Sequence, residues 1–261
     1  MMKIIGIIPA RMASSRFPGK PMAWILGVPM VGHVYFRSKM SKILDEVYIA
    51  TCDQEIADYA KSIGAKSVMT KDTHERASDR VAEAMRKIEN EAGEKIEIVV
   101  MIQGDEPMIL PEMIDEAIQP MLQDESIQVV NLMSPLKTRE EHNDPNEVKV
   151  VVTKDNYAIY FSREPIPSWK KGATKVPMLK QVCVIPFRRE FLIRFNKLPS
   201  TPLEIVESVD MLRLIENSYK IKMVMTNSQT YSVDTEEDLA RVAKLMRNDP
   251  LIKLYPRSKH E

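Results

Sequence analysis

Three fixed positive charges, Arg11, Arg16 and Lys20, stand close together in the stretch Ile4 to Pro21, IIGIIPARMASSRFPGKP, among small residues and hydroxyls. A loop of this make-up can bring backbone N–H groups and cations up to a polyphosphate. It is not a Walker loop, because Ser14 stands where that motif needs glycine and Pro21 follows Gly19-Lys20 where it needs Ser or Thr. Nor is there a G-x-G-x-x-G dinucleotide fingerprint. Further along, Gln103-Gly104-Asp105-Glu106-Pro107 follows an apolar run, and an acid at such a turn can hold Mg²⁺ against phosphates through hard oxygen ligands. Each feature also has a plainer reading. The cations suit a solvated surface loop, Asp105 suits a cap for a helix beginning near Pro111, and Asp234 in Val233-Asp234-Thr235 suits a cap for the helix after it.

These residues must be carried by regular elements. Ile4 to Ile8 reads as a buried strand ended by Pro9, and Gly27-Val28-Pro29 as a turn opening a helix through Ser38. Glu46 to Ala50 is a second strand, Asp53 caps a helix to about Ile63 with Gly64 as its stop, and Lys66 to Met69 is a third strand. A helix from Ser78 or Asp79 through Asn90 leads into a buried central strand, Ile96 to Ile102. This alternation predicts an α/β fold with a parallel sheet flanked by helices, whose ligands lie beyond the carboxyl ends of the strands.

The second half breaks the rhythm. Ile127 to Leu132 reads as a strand, then a polar irregular stretch runs through Pro145; Val148 to Thr153 and Tyr157 to Ser162 form a hairpin around Lys154-Asp155-Asn156. Ser162 to Pro177 is a proline-rich loop, Lys180 to Phe187 a strand and Arg189 to Asn196 a helix. Pro202 to Glu216 has apolar residues at 203, 206, 209, 212 and 215, a helical stripe, with Glu204, Glu207 and Asp210 along a neighbouring face. Ile221 to Met225 is a last strand and Glu236 to Met246 a last helix, leaving Arg247 to Glu261 as a polar, loosely ordered tail.

Composition narrows the partners. The 261 residues hold 37 Lys and Arg against 37 Asp and Glu, so no global field draws nucleic acid or an anionic membrane. No apolar run approaches the roughly 20 residues that cross a bilayer, and Pro9 and Arg11 cut the amino-terminal run too early for a signal peptide. Two cysteines, Cys52 and Cys183, lack metal-site spacing and suit reduced thiols in the cytoplasm. The histidines at 33, 74, 142 and 260 are scattered, which disfavours a His-ligated metal.

P-A-R-x-x-S-x-R-x-P-G-K-P directly after the first strand, then Q-G-D-E-P, Y-F-S-R-x-P-I-P and V-D-T in that order, resembles the signatures of the 3-deoxy-manno-octulosonate (Kdo) cytidylyltransferase family. The resemblance implies a Rossmann-like nucleotidyltransferase fold: a mostly parallel mixed sheet flanked by helices, one domain over 1–261, and a hairpin and loop excursion at about 154–187 that joins a homodimer. It also implies transfer of CMP from CTP to a 2-keto-3-deoxy sugar acid, with Asp105 and Asp234 holding Mg²⁺. Lys20 and Arg11 would share the catalytic work with those two acids. Ala10, Arg11, Ser14, Arg16, Lys20, Ser78, Arg80, Gln103 and Asp105 would line the nucleotide, Gln103 and Arg80 near cytosine. Arg163, Gln181, Glu204, Glu207 and Asp210 would face the sugar acid, P-L-E-x-x-E at Pro202 to Glu207 being a family pattern.

Three places depart from the pattern. H-x-S-G-T-[DE]-R reads His74-Glu75-Arg76-Ala77-Ser78-Asp79-Arg80, [RK]-H-[IL]-G reads Lys180-Gln181-Val182-Cys183, and E-Q-L-R reads Asp210-Met211-Leu212-Arg213. The last two fall where the family binds its sugar, so the expectation is a kept reaction with an altered acceptor. Another nucleotide or sugar class, or a non-catalytic binding relative, are the rival readings.

Overall fold

Runs of Ile and Val without polar interruption belong between helices, buried on both faces, and they make the centre of this chain. The computed structural model describes residues 2–13 and 17–257. The chain divides into two compact units, Met1–Asp115 with Thr230–Glu261, and Glu116–Gln229. The expected excursion at 154–187 falls inside the second unit.

In the first unit β1 (Ile4–Ala10) is buried along its whole length. Beyond β2 (Trp24–Ile25), β3 (Val28–Pro29) and α1 (Met30–Ser38) come β4 (Glu46–Thr51), α2 (Gln54–Ser62), β5 (Lys66–Met69), α3 (Ala77–Ala92) and β6 (Ile98–Ile102), and the unit ends within the first turns of α4 (Pro111–Gln123). These strands lie in the order β6-β1-β4-β5, all parallel, with Gly6 opposite both Val47 and Val100. Parallel neighbours need crossover connections, which α1, α2 and α3 supply. Pro9 does not end the first strand as expected; it pairs with Ala50 inside β1. The turn expected at Gly27 to Pro29 is instead a two-residue hairpin loop, Leu26 and Gly27, with both φ values positive at 47° and 84°, as a right-twisted hairpin favours.

The chain returns to this unit through α9 (Glu236–Met246) and a 3-10 turn, Pro250–Lys253. The carboxyl-terminal segment is not the loose tail expected from its polarity. Ile252 and Tyr255 join Val233, Val242 and Met246 in one cluster with Ile25, Val28 and Met30. His33 Nε2 lies 2.7 Å from the Ile25 carbonyl and therefore carries the proton, leaving Nδ1 to accept from the Tyr255 hydroxyl at 2.8 Å. Arg37 donates to the same hydroxyl and pairs with Asp249 at 2.7 Å.

The second unit holds β7 (Val130–Pro135), α5 (Arg139–Asn143), β8 (Lys149–Val152), β9 (Ala158–Ser162), β10 (Leu179–Val182), β11 (Val184–Arg188), α6 (Arg189–Phe195), α7 (Pro202–Glu207), α8 (Met211–Glu216) and β12 (Lys222–Met225). Its sheet runs β12-β7-β10-β8-β9, with β12 parallel to β7 and the other pairings antiparallel. The expected hairpin is β8 and β9. Several expectations change. The strand placed at Ile127 to Leu132 lies at Val130–Pro135, and the irregular stretch after it contains α5, capped by Thr138 accepting from the Glu141 N–H. Lys180 to Phe187 is two strands parted at Cys183. The long helix from Pro202 is two short ones, broken where Ser208 turns left-handed at φ 52°. Val206, expected in the apolar stripe, is 79% exposed, while Glu204 is fully buried. No helix among the described residues is long and apolar enough to cross a membrane.

Candidate active site

Adjacent parallel strands end at one edge of a sheet, so the turns after β1 and β6 must meet there. Gly104 makes the meeting close: a Cβ on it would sit 3.1 Å from the Pro9 carbonyl oxygen. After the loop that follows β1, Gly19 at φ 76° reverses the chain and starts a 3-10 turn, Lys20–Met22. Lys20 Nζ then donates to Asp105 Oδ2 at 2.9 Å and to Asp234 Oδ1 at 3.1 Å.

Asp234 reaches this point because of what surrounds it. The Val233 N–H donates to the Asp105 carbonyl at 2.9 Å, joining the two acidic turns through the backbone, and the Val233 side chain is fixed in the carboxyl-terminal cluster. The plain reading of Asp234 as a helix cap fails. Thr235 caps α9 and exchanges hydrogen bonds with Asp238, a capping box that leaves the Asp234 carboxylate to Lys20. Asp105 does not cap α4 either; its side chain is on Lys20. Burial works against the Lys20 ammonium, but Asp105 and Asp234 outweigh it and hold its pKa above the ordinary lysine value. Two carboxylates thus share one ammonium at this edge of the sheet. No group of three or more His, Cys, Asp or Glu gathers as a metal cage among the described residues.

The remaining nucleotide candidates lie in the same unit. Ala10 is buried at the end of β1, and the exposed Arg11 donates to the His74 carbonyl at 3.3 Å. Ser14 and Arg16 lie outside the described residues. His74 bonds Glu83, which also accepts from the Lys71 N–H and from Lys87. Burial raises Glu83, yet those donors pull its pKa down to about 2. Ser78 is buried in the first turn of α3. Arg80 is 2% exposed; Nη1 donates to Thr70 Oγ1 and the Lys71 carbonyl, whereas Nη2 has no partner among the described residues. Gln103, half-buried just past β6, makes no side-chain hydrogen bond to a described residue.

In the second unit Glu207 accepts from Tyr160, Ser162 and the Arg163 N–H, and the Arg163 guanidinium donates to the Glu207 and Pro145 carbonyls. Burial raises Glu207, but the Arg163 N–H and the two hydroxyls outweigh it and lower its pKa. Gln181 Nε2 donates to Asn131 Oδ1 at 2.6 Å. The acidic face expected at Glu204, Glu207 and Asp210 does not form. Glu204 turns inward and meets Arg213 with both oxygens, at 2.5 and 2.7 Å, while Asp210 sits at the start of α8.

A family model described as cytidylyltransferase matches residues 5–227. The chain belongs to the cytidylyltransferase family. It is 40% identical over 253 residues to the 3-deoxy-manno-octulosonate cytidylyltransferase of Geobacter metallireducens, covering 93% of this chain and 97% of the relative. The enzyme of the same name from Geotalea uraniireducens is also 40% identical, over 94% of this chain and 100% of the relative. Among solved structures, CMP:2-keto-3-deoxy-manno-octonic acid synthetase complexed with CTP superposes with a TM-score of 0.87 at 36% identity, over 95% of this chain and 99% of that one. This cytidylyltransferase is thus a nucleotidyltransferase in fold and in kind.

Two of its polar residues escaped the sequence reading. Asp53 looks like a helix cap but accepts from the Met12 N–H at 2.8 Å. Lys149, fully buried, donates to the Asp144 and Arg163 carbonyls, and burial lowers its pKa. No spacing pattern signals either.

Proposed function

We propose that this chain transfers CMP from CTP to the anomeric hydroxyl of a 2-keto-3-deoxy sugar acid, Kdo or a Kdo-like acid, releasing pyrophosphate. The observation that carries this reading is the bridging of Asp105 and Asp234 by Lys20 beside the cationic loop. The names of the relatives support the nucleotide and the acceptor.

Two carboxylates suit Mg²⁺, which is commonly held by one or two carboxylates together with substrate phosphates and water. The residues present fit it, and Asp105 and Asp234 would hold it. When bound, it neutralises phosphate charge and lowers the pKa of a ligated hydroxyl. The sugar hydroxyl gives up its proton to solvent and forms a bond to the α-phosphorus as the bond to pyrophosphate breaks in line. Little covalent chemistry falls to the protein, whose work is positioning and neutralising charge. Arg11 and Arg16 grip the β- and γ-phosphates with forked contacts, and Lys20 moves to them from its carboxylates as a compact charge. Nη2 of Arg80, without a partner among the described residues, suits an acceptor on the base, and Gln103 can both donate and accept, as cytosine requires. Ala10, Ser14 and Ser78 complete the nucleotide side. Arg163, Gln181, Glu207 and Asp210 serve the sugar acid; Glu204 leaves that set because Arg213 takes both its oxygens. The same reading has a homodimer joined through 154–187 and working in the cytoplasm, where free thiols such as Cys52 and Cys183 persist.

Pyrophosphate release by the purified chain with MgCl₂, each of the four NTPs and a panel of 2-keto-3-deoxy acids tests the proposal. CTP-dependent release with one or more acids is expected. UTP outperforming CTP, or no release with any acid, would overturn it. The Gln181–Asn131 contact stands where the family pattern has a histidine, and favours an acceptor other than Kdo itself. Kdo as the best acceptor by a wide margin would remove that refinement.

A further inference from the structure

We propose that Asp53 is a positioning residue that sets the cationic loop against the nucleotide's phosphates and ties it to the base-side Arg80; the inference rests on the nucleotidyltransferase reading above. Asp53 immediately precedes α2 with extended backbone, φ −105° and ψ 124°, where an aspartate ordinarily caps. Its side chain makes no cap hydrogen bond. It reaches instead to the Met12 N–H, 2.8 Å from Oδ2. A carboxylate accepting from a backbone N–H is among the stronger hydrogen bonds available.

Met12 is the neck of the loop. Its carbonyl accepts from the Gly19 N–H at 3.0 Å, so one residue closes the loop between Arg11 and Lys20. Holding Met12 therefore sets where both cations emerge. The hold continues away from the loop. The Asp53 N–H donates to Thr51 Oγ1 at 3.1 Å, the Thr51 carbonyl accepts from Thr70 Oγ1 at 3.1 Å, and Thr70 Oγ1 accepts from Arg80. An unbroken run of backbone and side-chain contacts thus leads from Arg80 to the loop neck, with Asp53 its last link. Since the side chain does not cap α2, its removal leaves the helix's own hydrogen bonds intact.

Steady-state kinetics with CTP varied, and a melting curve, on the wild-type chain, Asp53→Ala and Asp53→Asn separate this role from a structural one. The loop's cations hold the β- and γ-phosphates from the moment CTP binds, so Asp53→Ala should raise the KM for CTP about tenfold, the scale of one lost charged hydrogen bond. Asp53→Asn keeps an acceptor for the Met12 N–H and should recover most of that loss. An unchanged KM in Asp53→Ala refutes the inference. So does a fall in kcat and melting temperature together that Asp53→Asn fails to reverse. A wild-type chain with no CTP-dependent turnover overturns the parent reading and this one with it; an active wild type beside an indifferent Asp53→Ala overturns this one alone.

Discussion

Replacing Lys20 by methionine keeps most of the side chain's length and removes its charge. Asp105 Oδ2 and Asp234 Oδ1 lie 2.9 and 3.1 Å from Nζ, and those distances sum to 6.0 Å, the farthest apart the two oxygens can be. The side chains are only 13% (Lys20), 28% (Asp105) and 14% (Asp234) exposed, so water screens them incompletely. At an effective dielectric of about 20, two like charges at that separation repel by about 3 kcal/mol. For a chain of this size that corresponds to roughly 6–12 °C in melting temperature. Lys20→Met in EDTA should melt lower than wild type by about that amount. Added MgCl₂ should restore it, because a divalent cation can take the ammonium's place, while the wild type moves less. Differential scanning fluorimetry across a MgCl₂ series reads both effects. Equal melting of the two proteins in EDTA, or a Lys20→Met deficit indifferent to MgCl₂, would show that the carboxylates do not share one cation.

Other perturbations bear on the same architecture. Asp105→Asn and Asp234→Asn should each lower CTP turnover by at least about a hundredfold, since even outer-shell partners of a metal are worth 10–100-fold; near-normal rates in a pyrophosphate assay would remove them from the chemistry. Burial, aided by Arg37, lowers the His33 pKa from 6.5 to about 4. Stability from His33 is therefore complete above pH 6.5 and falls as pH drops toward 4, by up to about 3 kcal/mol, because the unfolded chain takes up a proton that the folded chain refuses. A His33→Gln variant whose melting temperature keeps the wild-type slope across that window would contradict this. Arg213→Ala strands the buried Glu204 carboxylate and should cost about 3–5 kcal/mol in a urea titration; a loss under about 1 kcal/mol would mean that water reaches Glu204.

The first unit was legible because its central strands, Ile4–Ala10 and Ile98–Ile102, are buried along their whole length and need no polar face to be recognised. Lys66–Met69 and Glu236–Met246 fall where their periodicity puts them. Pattern reading failed where one tertiary contact outweighed it. The stripe at 203 to 215 has helical period, but the Glu204–Arg213 pair turns that segment inward around a left-handed Ser208 and leaves Ile205 and Val206 in solvent. The tail is polar overall, yet Ile252 and Tyr255 dock it in the core, with His33 and Arg37 as partners for the Tyr255 hydroxyl and Arg37 also holding Asp249. Lys180 to Phe187 reads as one strand because a backbone break at Cys183 leaves no mark on hydrophobicity.

The same local rule misleads at Asp234 and at Asp53, and for one reason. An acid just before a helix is expected to bond the helix's own free N–H groups. At Asp234 the next residue, Thr235, takes that duty with Asp238, so the carboxylate is left for Lys20. At Asp53 no neighbour takes it, and the carboxylate still goes to Met12. In each case a long-range partner prevails over the nearest available one, a sacrifice of local consistency expected mainly at functional sites. An Asp-Thr pair opening a helix, with an acid three residues after the threonine, is therefore a pattern that sequence reading can use: it provides a cap and an uncommitted carboxylate together. Asp53 offers no such sign, because what releases it lies in the backbone of a loop far away in the chain.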